Sequence, residues 1–401
     1  MNKTTPITPD RNFYPGNWIH SFPDHFQWSN ATLIAKGMAP WSAVALGEID
    51  QVVQRLHARL DQPQAWWEEW GALAERIERG GDDAAARGHQ ATAGNCYLRA
   101  GNYYYTGERM IEPGPHKIAM YRKALRCYQE GLKRRYPNIE SIEVAYEGTS
   151  MPAYFMTSPV ARGRAPTVVL FDGLDNCKEM SVVFAGVELA FRGFHVLAID
   201  GPGQGEALRL RNIHSRYDTE GAGTVAYDYV ASRPDVDPKR VAVMAYSAGG
   251  YYAPRMAAFE KRYAALVAWG AHYDYHAVWL KRWEVMKASH TGSATSHFQL
   301  PWVLGVPDME AAMEKLKKFT LAGVADKVTC PILICHGDGD LQTPFEVAQQ
   351  LYDNVGSKDK TLKRFTAAEG GDQHVQADNR QIGIDYIADW LGDRLHPERP
   401  A

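Results

Sequence analysis

The ten residues Val241-Ala242-Val243-Met244-Ala245-Tyr246-Ser247-Ala248-Gly249-Gly250 constrain the fold more than any other stretch of the chain. They read as a buried strand, a tight turn and the start of a helix. A serine held at the apex of such a turn needs small residues two positions before and two after it, because those two positions face each other. Here they are Ala245 and Gly249. The usual pattern has glycine at the first of them, so this chain departs from it by one methyl group. The bland alternative is a serine that merely caps a helix after a core strand.

The surroundings favour a layered α/β architecture. After Pro137 the segments 139–146 and 151–156 alternate apolar and polar residues around a turn at Glu147-Gly148-Thr149-Ser150, which predicts a β-hairpin. Apolar runs then alternate with helical patterns. Strands are expected at 167–171, 195–199, 240–245, 265–269, 331–335 and 363–366, with helices at 181–192, 219–232, 249–260, 344–354 and 379–395. That order predicts a mostly parallel sheet with helices on both faces. The alternation lapses over 271–325, which reads as an insertion above the sheet's C-terminal edge.

Residues 40–136 follow a different grammar. Ile49, Val52, Val53, Leu56 and Leu60 recur at helical spacing, as do Trp66, Trp67, Trp70, Leu73, Ala74 and Ile77. Gly80-Gly81 is expected to stop the second helix, with Asp82 or Asp83 capping a third that runs to about Tyr105. A further helix is expected over 116–135. Residues 11–40 show no period and read as an arm packed on another surface. The division is therefore 1–136, arm and helical cap, and 137–401, sheet domain with the insertion 271–325.

Composition narrows the function. A net charge of −3 with scattered Lys and Arg disfavours nucleic acid as a partner. No apolar run reaches the roughly 18 residues that would span a bilayer, and Met1–Asp10 lacks the apolar core of a secretory signal, so no membrane association is expected. Cys96, Cys127, Cys177, Cys330 and Cys335 are odd in number and widely spaced, which fits a reducing, cytoplasmic setting. His272-x-x-x-His276 lacks a third ligand, and Gly201-x-Gly203-x-Gly205 lacks dinucleotide-loop spacing, so neither a metal nor a cofactor is expected.

Serine is a weak nucleophile and needs a base and an orienting acid. Behind the strand at 331–335 comes His336-Gly337-Asp338-Gly339-Asp340-Leu341-Gln342-Thr343-Pro344. Asp340 is the preferred acid by its spacing, with Asp338 and His336 shaping the turn. Behind 363–366 comes Gly370-Gly371-Asp372-Gln373-His374, and His374 is the expected base. Two backbone N–H groups must hold a developing oxyanion. Ala248 follows the serine and supplies one. Leu174, or else Gly173, supplies the other from the loop after strand 167–171. Among 45 Trp, Tyr and Phe residues, Tyr246, Tyr103 to Tyr105, Trp279 and Trp302 are candidate pocket walls, although aromatics more often fill cores. The site is expected between the helical region and the insertion.

The elbow A-Y-S-A-G-G, the loop F-D-G-L-D-N-C-K-E, the strand end W-G-A-H-Y-D-Y (269–275) and the helical N-terminal part resemble one group of α/β-hydrolases. That group includes 2,6-dihydroxypseudooxynicotine hydrolase and the fungal polyketide-shortening heptaketide hydrolases, with a looser likeness to prolyl-oligopeptidase-like esterases. The resemblance runs from about residue 15 to 395. It implies the α/β-hydrolase fold, a triad of Ser247, Asp340 and His374, and hydrolysis of a carbon–carbon bond beside a ketone in a small aromatic or polyketide-like substrate. It also implies an acidic pocket residue, for which Asp274 or Glu284 is the candidate. A carboxylesterase or amidase is the second reading. A non-catalytic ligand-binding homologue is the third. A homodimer is an assembly compatible with such a chain.

Overall fold

The computed structural model describes residues 19–289 and 291–398. The expected arm lies outside these for residues 11–18, as does the Met1–Asp10 segment. Its remainder forms helix α1 (Phe26–Lys36). Four more helices complete the N-terminal part: α2 (Leu46–His57), α3 (Ala65–Ala86), α4 (Gln90–Glu108) and α5 (Pro115–Arg135).

The glycine pair does not end a helix, contrary to the sequence expectation: α3 runs through it to Ala86. Gly81 instead gives α4 room to approach, since a Cβ there would stand 3.0 Å from the Tyr97 ring. Asp82 caps nothing and accepts a hydrogen bond from the Tyr97 hydroxyl at 2.7 Å. Close packing against a neighbour outweighs the propensity cost of two helical glycines.

Eight strands form one sheet in the order β1-β2-β4-β3-β5-β6-β7-β8. They are β1 (Ile139–Tyr146), β2 (Thr149–Met156), β3 (Ala165–Phe171), β4 (His195–Ile199), β5 (Val236–Ala248), β6 (Ala265–Ala271), β7 (Ile332–Gly337) and β8 (Lys360–Phe365). β1–β2 and β2–β4 are antiparallel and every other pairing is parallel. Strands β3, β4, β6 and β7 are buried along their whole length, as continuous apolar runs in a parallel sheet must be.

The helix expected over 181–192 is divided into α6 (Lys178–Ser181), a π-helical turn at Val182–Gly186 and α7 (Val187–Phe191). A helix with no counterpart among the sequence expectations, α8 (Gly205–Arg211), follows the glycine-rich turn. Those glycines are structural. Gly205 sits at φ +35°, and a Cβ there would meet the Asp200 carboxylate at 2.3 Å. Asp200 in turn accepts the backbone N–H groups of Lys178 and Glu206. The remaining helices are α9 (Glu220–Ser232), α10 (Gly249–Phe259), α11 (Tyr275–Ala288), α12 (Gln299–Leu304), α13 (Met309–Leu316), α14 (Phe345–Asn354) and α15 (Arg380–Leu395). Helices α11 to α13 lie between β6 and β7, over the segment expected to be an insertion.

Candidate active site

Ser247, one residue before the end of β5, has φ +57°, a left-handed conformation that a non-glycine residue adopts only under local constraint. The constraint is visible. A Cβ on Gly249 would lie 2.5 Å from the Ala245 Cβ, and one on Gly250 would lie 2.2 Å from the Gly270 carbonyl oxygen. Glycine at 249 therefore makes room for the methyl at 245, which is why alanine is tolerated there.

His374 is brought to the serine by the loop after β8. Its Nε2 lies 2.8 Å from Ser247 Oγ and its Nδ1 2.6 Å from Asp340 Oδ2. The other Asp340 oxygen accepts the backbone N–H groups of Gln342 and Thr343 at 2.8 and 2.9 Å. Burial alone would raise the Asp340 carboxyl. The His374 and His336 imidazoles and these N–H donors outweigh burial and hold it well below the usual carboxylate range. Asp338 points elsewhere and pairs with Arg364. His336 is tied to the Thr343 carbonyl at 2.8 Å and shapes the acid's loop.

The two loops interlock. A Cβ on Gly337 would collide with the Asp372 carbonyl oxygen at 2.1 Å, and Gly339 donates its N–H to that oxygen at 2.9 Å. Asp378 accepts the N–H groups of Gly371 and Gln373, which fixes the turn presenting His374. Gly173 packs directly on the serine, where a Cβ would stand 2.9 Å from Ser247 Cβ. This brings the Gly173-Leu174 backbone beside Ser247, and Leu174 shares a cavity with it. Ala248 is the N-cap of α10.

That cavity lies between the sheet edge, α1, the end of α4 and the insertion. Asn30, Ile34, Arg109, Ala294 and Thr295 roof it, while Leu174, Phe184, Tyr246 and Val375 line it beside Ser247 and His374. Of the expected walls, Tyr246 is there, and its hydroxyl donates to Asp172 Oδ1 at 3.0 Å. Several others fall elsewhere. The Tyr105 hydroxyl binds the Asp175 carbonyl from behind the wall. Tyr103 and Tyr104 bond to Glu48 and Glu78 within the helical part. Trp279 is core, edge-on to Tyr275. Trp302 packs under the Lys117 and Arg209 cations. Asp274 caps α11 by accepting the Ala277 N–H, and Glu284 pairs with exposed Lys287. Among the described residues no group of three or more His, Cys, Asp or Glu is arranged to hold a metal ion.

Sequence reasoning missed the three arginines of the cavity: Arg109, Arg282 and Arg380. Each is a single basic residue at a helix end or on a mixed helical face, with no pattern that marks it as facing inward. Phe184 was also missed. The π-helical turn that carries it, a feature often found at functional sites, sets its ring edge-on to Tyr246 at 5.2 Å.

Comparison with known proteins agrees with this architecture. The chain is similar to the α/β-hydrolase xenA of Xenoacremonium sinensis, with 27% identity, 82% of this chain and 83% of the relative covered. It is similar to the 20-hydroxy-prefusarin hydrolase FUS2 of Gibberella moniliformis, with 25% identity and coverage of 84% and 88%. The crystal structure of 2,6-dihydroxy-pseudo-oxynicotine hydrolase has the same fold, with a TM-score of 0.74 and 22% identity over 91% of this chain and 98% of that one. Residues 184–397 match the prolyl oligopeptidase family and residues 62–288 the FrsA-like esterases. Each match spans more than half of the 401 residues, and the chain is thus an α/β-hydrolase belonging to these hydrolase families.

Proposed function

We propose that the protein is a serine hydrolase in which Ser247 is the nucleophile, His374 the general base and Asp340 the acid that orients it, acting on a carbon–carbon bond beside a ketone. The observation that carries this reading is the continuous hydrogen-bonded chain from Ser247 Oγ through His374 to Asp340, at 2.8 and 2.6 Å. These distances allow proton transfer from the serine as it attacks.

His374 Nε2 takes the serine proton while Oγ bonds to the substrate carbonyl carbon. The carbonyl electron pair moves to oxygen, which the Ala248 and Leu174 N–H groups receive. Collapse of this intermediate breaks the bond to the α-carbon, and the His374 imidazolium protonates that carbon as it leaves. Water, activated by the same imidazole, then releases the acid from Ser247. A leaving carbon stabilised by a second carbonyl or an aromatic ring makes the cleavage feasible.

A carboxylesterase is the second reading, because the same groups cleave esters and the FrsA-like match spans the elbow. Covalent labelling by a fluorophosphonate probe, lost in Ser247→Ala, tests the nucleophile. An unlabelled native protein refutes it. Rapid turnover of p-nitrophenyl esters with inert β-diketones would reverse the order of the two readings. All five cysteines are unpaired, which supports a reducing cytoplasmic location. No described helix is long and apolar enough to cross a membrane.

A further inference from the structure

The lining of the cavity carries more positive charge than the protein neutralises. Arg380 is 6% exposed, and its Nε has no hydrogen-bond partner. Its Nη1 reaches only the uncharged Met38 sulfur at 3.5 Å, and its guanidinium lies over the Phe184 ring at 4.4 Å. Arg109 also has a buried Nε without a partner. Its Nη2 is 3.8 Å from Asp175, but that carboxylate is already engaged by Arg209 at 3.0 Å and by Gln299. Arg282 donates to the Gln342 carbonyl at 3.0 Å and so braces the loop of Asp340. Among the described residues no carboxylate lies within 4 Å of the Arg282 or Arg380 guanidinium groups.

An uncompensated buried cation is costly, and a site that keeps Arg380 without a carboxylate, next to an Arg109 that shares Asp175 with Arg209, beside a reactive serine is built for an anion. Burial and the neighbouring Arg109 charge both work against the Arg380 cation, lowering it to about 10, so it stays charged at neutral pH with its charge unanswered. Guanidinium is suited to the task, because its planar fork matches a carboxylate in a way that an ammonium does not.

We propose that the substrate carries a carboxylate, bound by Arg109 and Arg380, with its planar part against Phe184 and Tyr246 and its reacting carbonyl at Ser247. This names the substrate class of the site proposed above and rests on that reading.

The test separates binding from chemistry. Ser247→Ala protein is titrated calorimetrically with 4-oxo-4-phenylbutanoate and with its methyl ester, which differ only in the charge. The acid is expected to bind at least about tenfold more tightly, the worth of a charge-assisted contact. Arg380→Met and Arg109→Met, each made in that background and checked for a native melting transition, lose most of this preference while binding the ester as before. Arg380→Lys restores part of it. Equal binding of acid and ester, binding of neither, or a preference that survives both methionine variants overturns the anion site. Fluorophosphonate labelling of the native protein is scored separately, so labelling without acid selectivity refutes the anion site and leaves the serine chemistry standing.

Discussion

Ala245 and Gly249 meet across the turn that carries Ser247, so closely that a second Cβ would leave only 2.5 Å between them. The departure from the common glycine at position 245 is thus absorbed entirely by the glycine at 249. Gly249→Ala must push the turn apart. It is expected to cost about 1–3 kcal/mol of stability and to slow fluorophosphonate labelling sharply. Ala245→Gly restores the usual pattern and should cost about 0.5–1 kcal/mol, the entropy of a strand glycine, with labelling preserved. Denaturant unfolding of both variants, compared with labelling rates, checks the pair.

Asp340 and Asp338 stand two residues apart in one loop and have opposite expectations. Asp340 binds His374 Nδ1 and sets which nitrogen faces the serine. Asp340→Asn should lower kcat about ten-thousandfold by favouring the wrong tautomer, with the backbone contacts to Gln342 and Thr343 retained. Asp338→Asn removes only a partner of Arg364 near the surface and should leave kcat within about twofold, because exposed pairs contribute about 0–1 kcal/mol. Steady-state kinetics on any substrate that acylates Ser247 distinguishes them.

These residues also show what the sequence could reveal. Strand ends, the elbow and the two downstream loops were readable because local chemistry dictates them: apolar runs, a crowded turn that demands small residues, and polar loops at strand ends. Gly80-Gly81 misled because the reason for Gly81 lies in Tyr97, sixteen residues away. Arg109, Arg282 and Arg380 were invisible for a related reason. Each comes from a different helix, and only the assembled fold turns them toward one cavity. Aromatic abundance pointed to Tyr105, Trp279 and Trp302 as walls, yet these fill packing space or face cations, as buried aromatics commonly do.

His272 follows β6, is completely buried, and among the described residues neither ring nitrogen has a hydrogen-bond partner. Burial pushes it well below its ordinary value, with Arg282, His374 and His336 adding repulsion against a weaker pull from Asp340. The unfolded chain takes up this proton near pH 6.5 and the folded one does not. Stability therefore falls as the pH drops below about 6.5, by up to about 1.4 kcal/mol per pH unit from this group. His272→Phe should flatten the melting temperature between pH 6.5 and 5. A variant as acid-sensitive as the native protein would place the sensitivity elsewhere.

Glu108 joins the helical part to the sheet domain. It ends α4, is fully buried, and binds Arg209 of α8 through both oxygens at 2.9 and 3.0 Å and Lys117 of α5 at 3.0 Å. Burial would raise its carboxyl, but the two cations overcome this and hold it below the usual range. Glu108→Gln keeps the shape and removes the charge, leaving Lys117 with backbone carbonyls and Arg209 with the Asp175 carboxylate and backbone carbonyls. The loss of a buried partner is expected to cost about 3–5 kcal/mol. Glu69→Gln, which breaks the more exposed pairs with Arg55 and Arg59, should cost no more than about 1 kcal/mol. Because Glu108 adjoins Arg109, loosening this joint also displaces the cavity roof. Urea unfolding followed by tryptophan fluorescence should therefore show Glu108→Gln opening the helical part at lower denaturant than the sheet, with loss of Ser247 reactivity tracking the first transition.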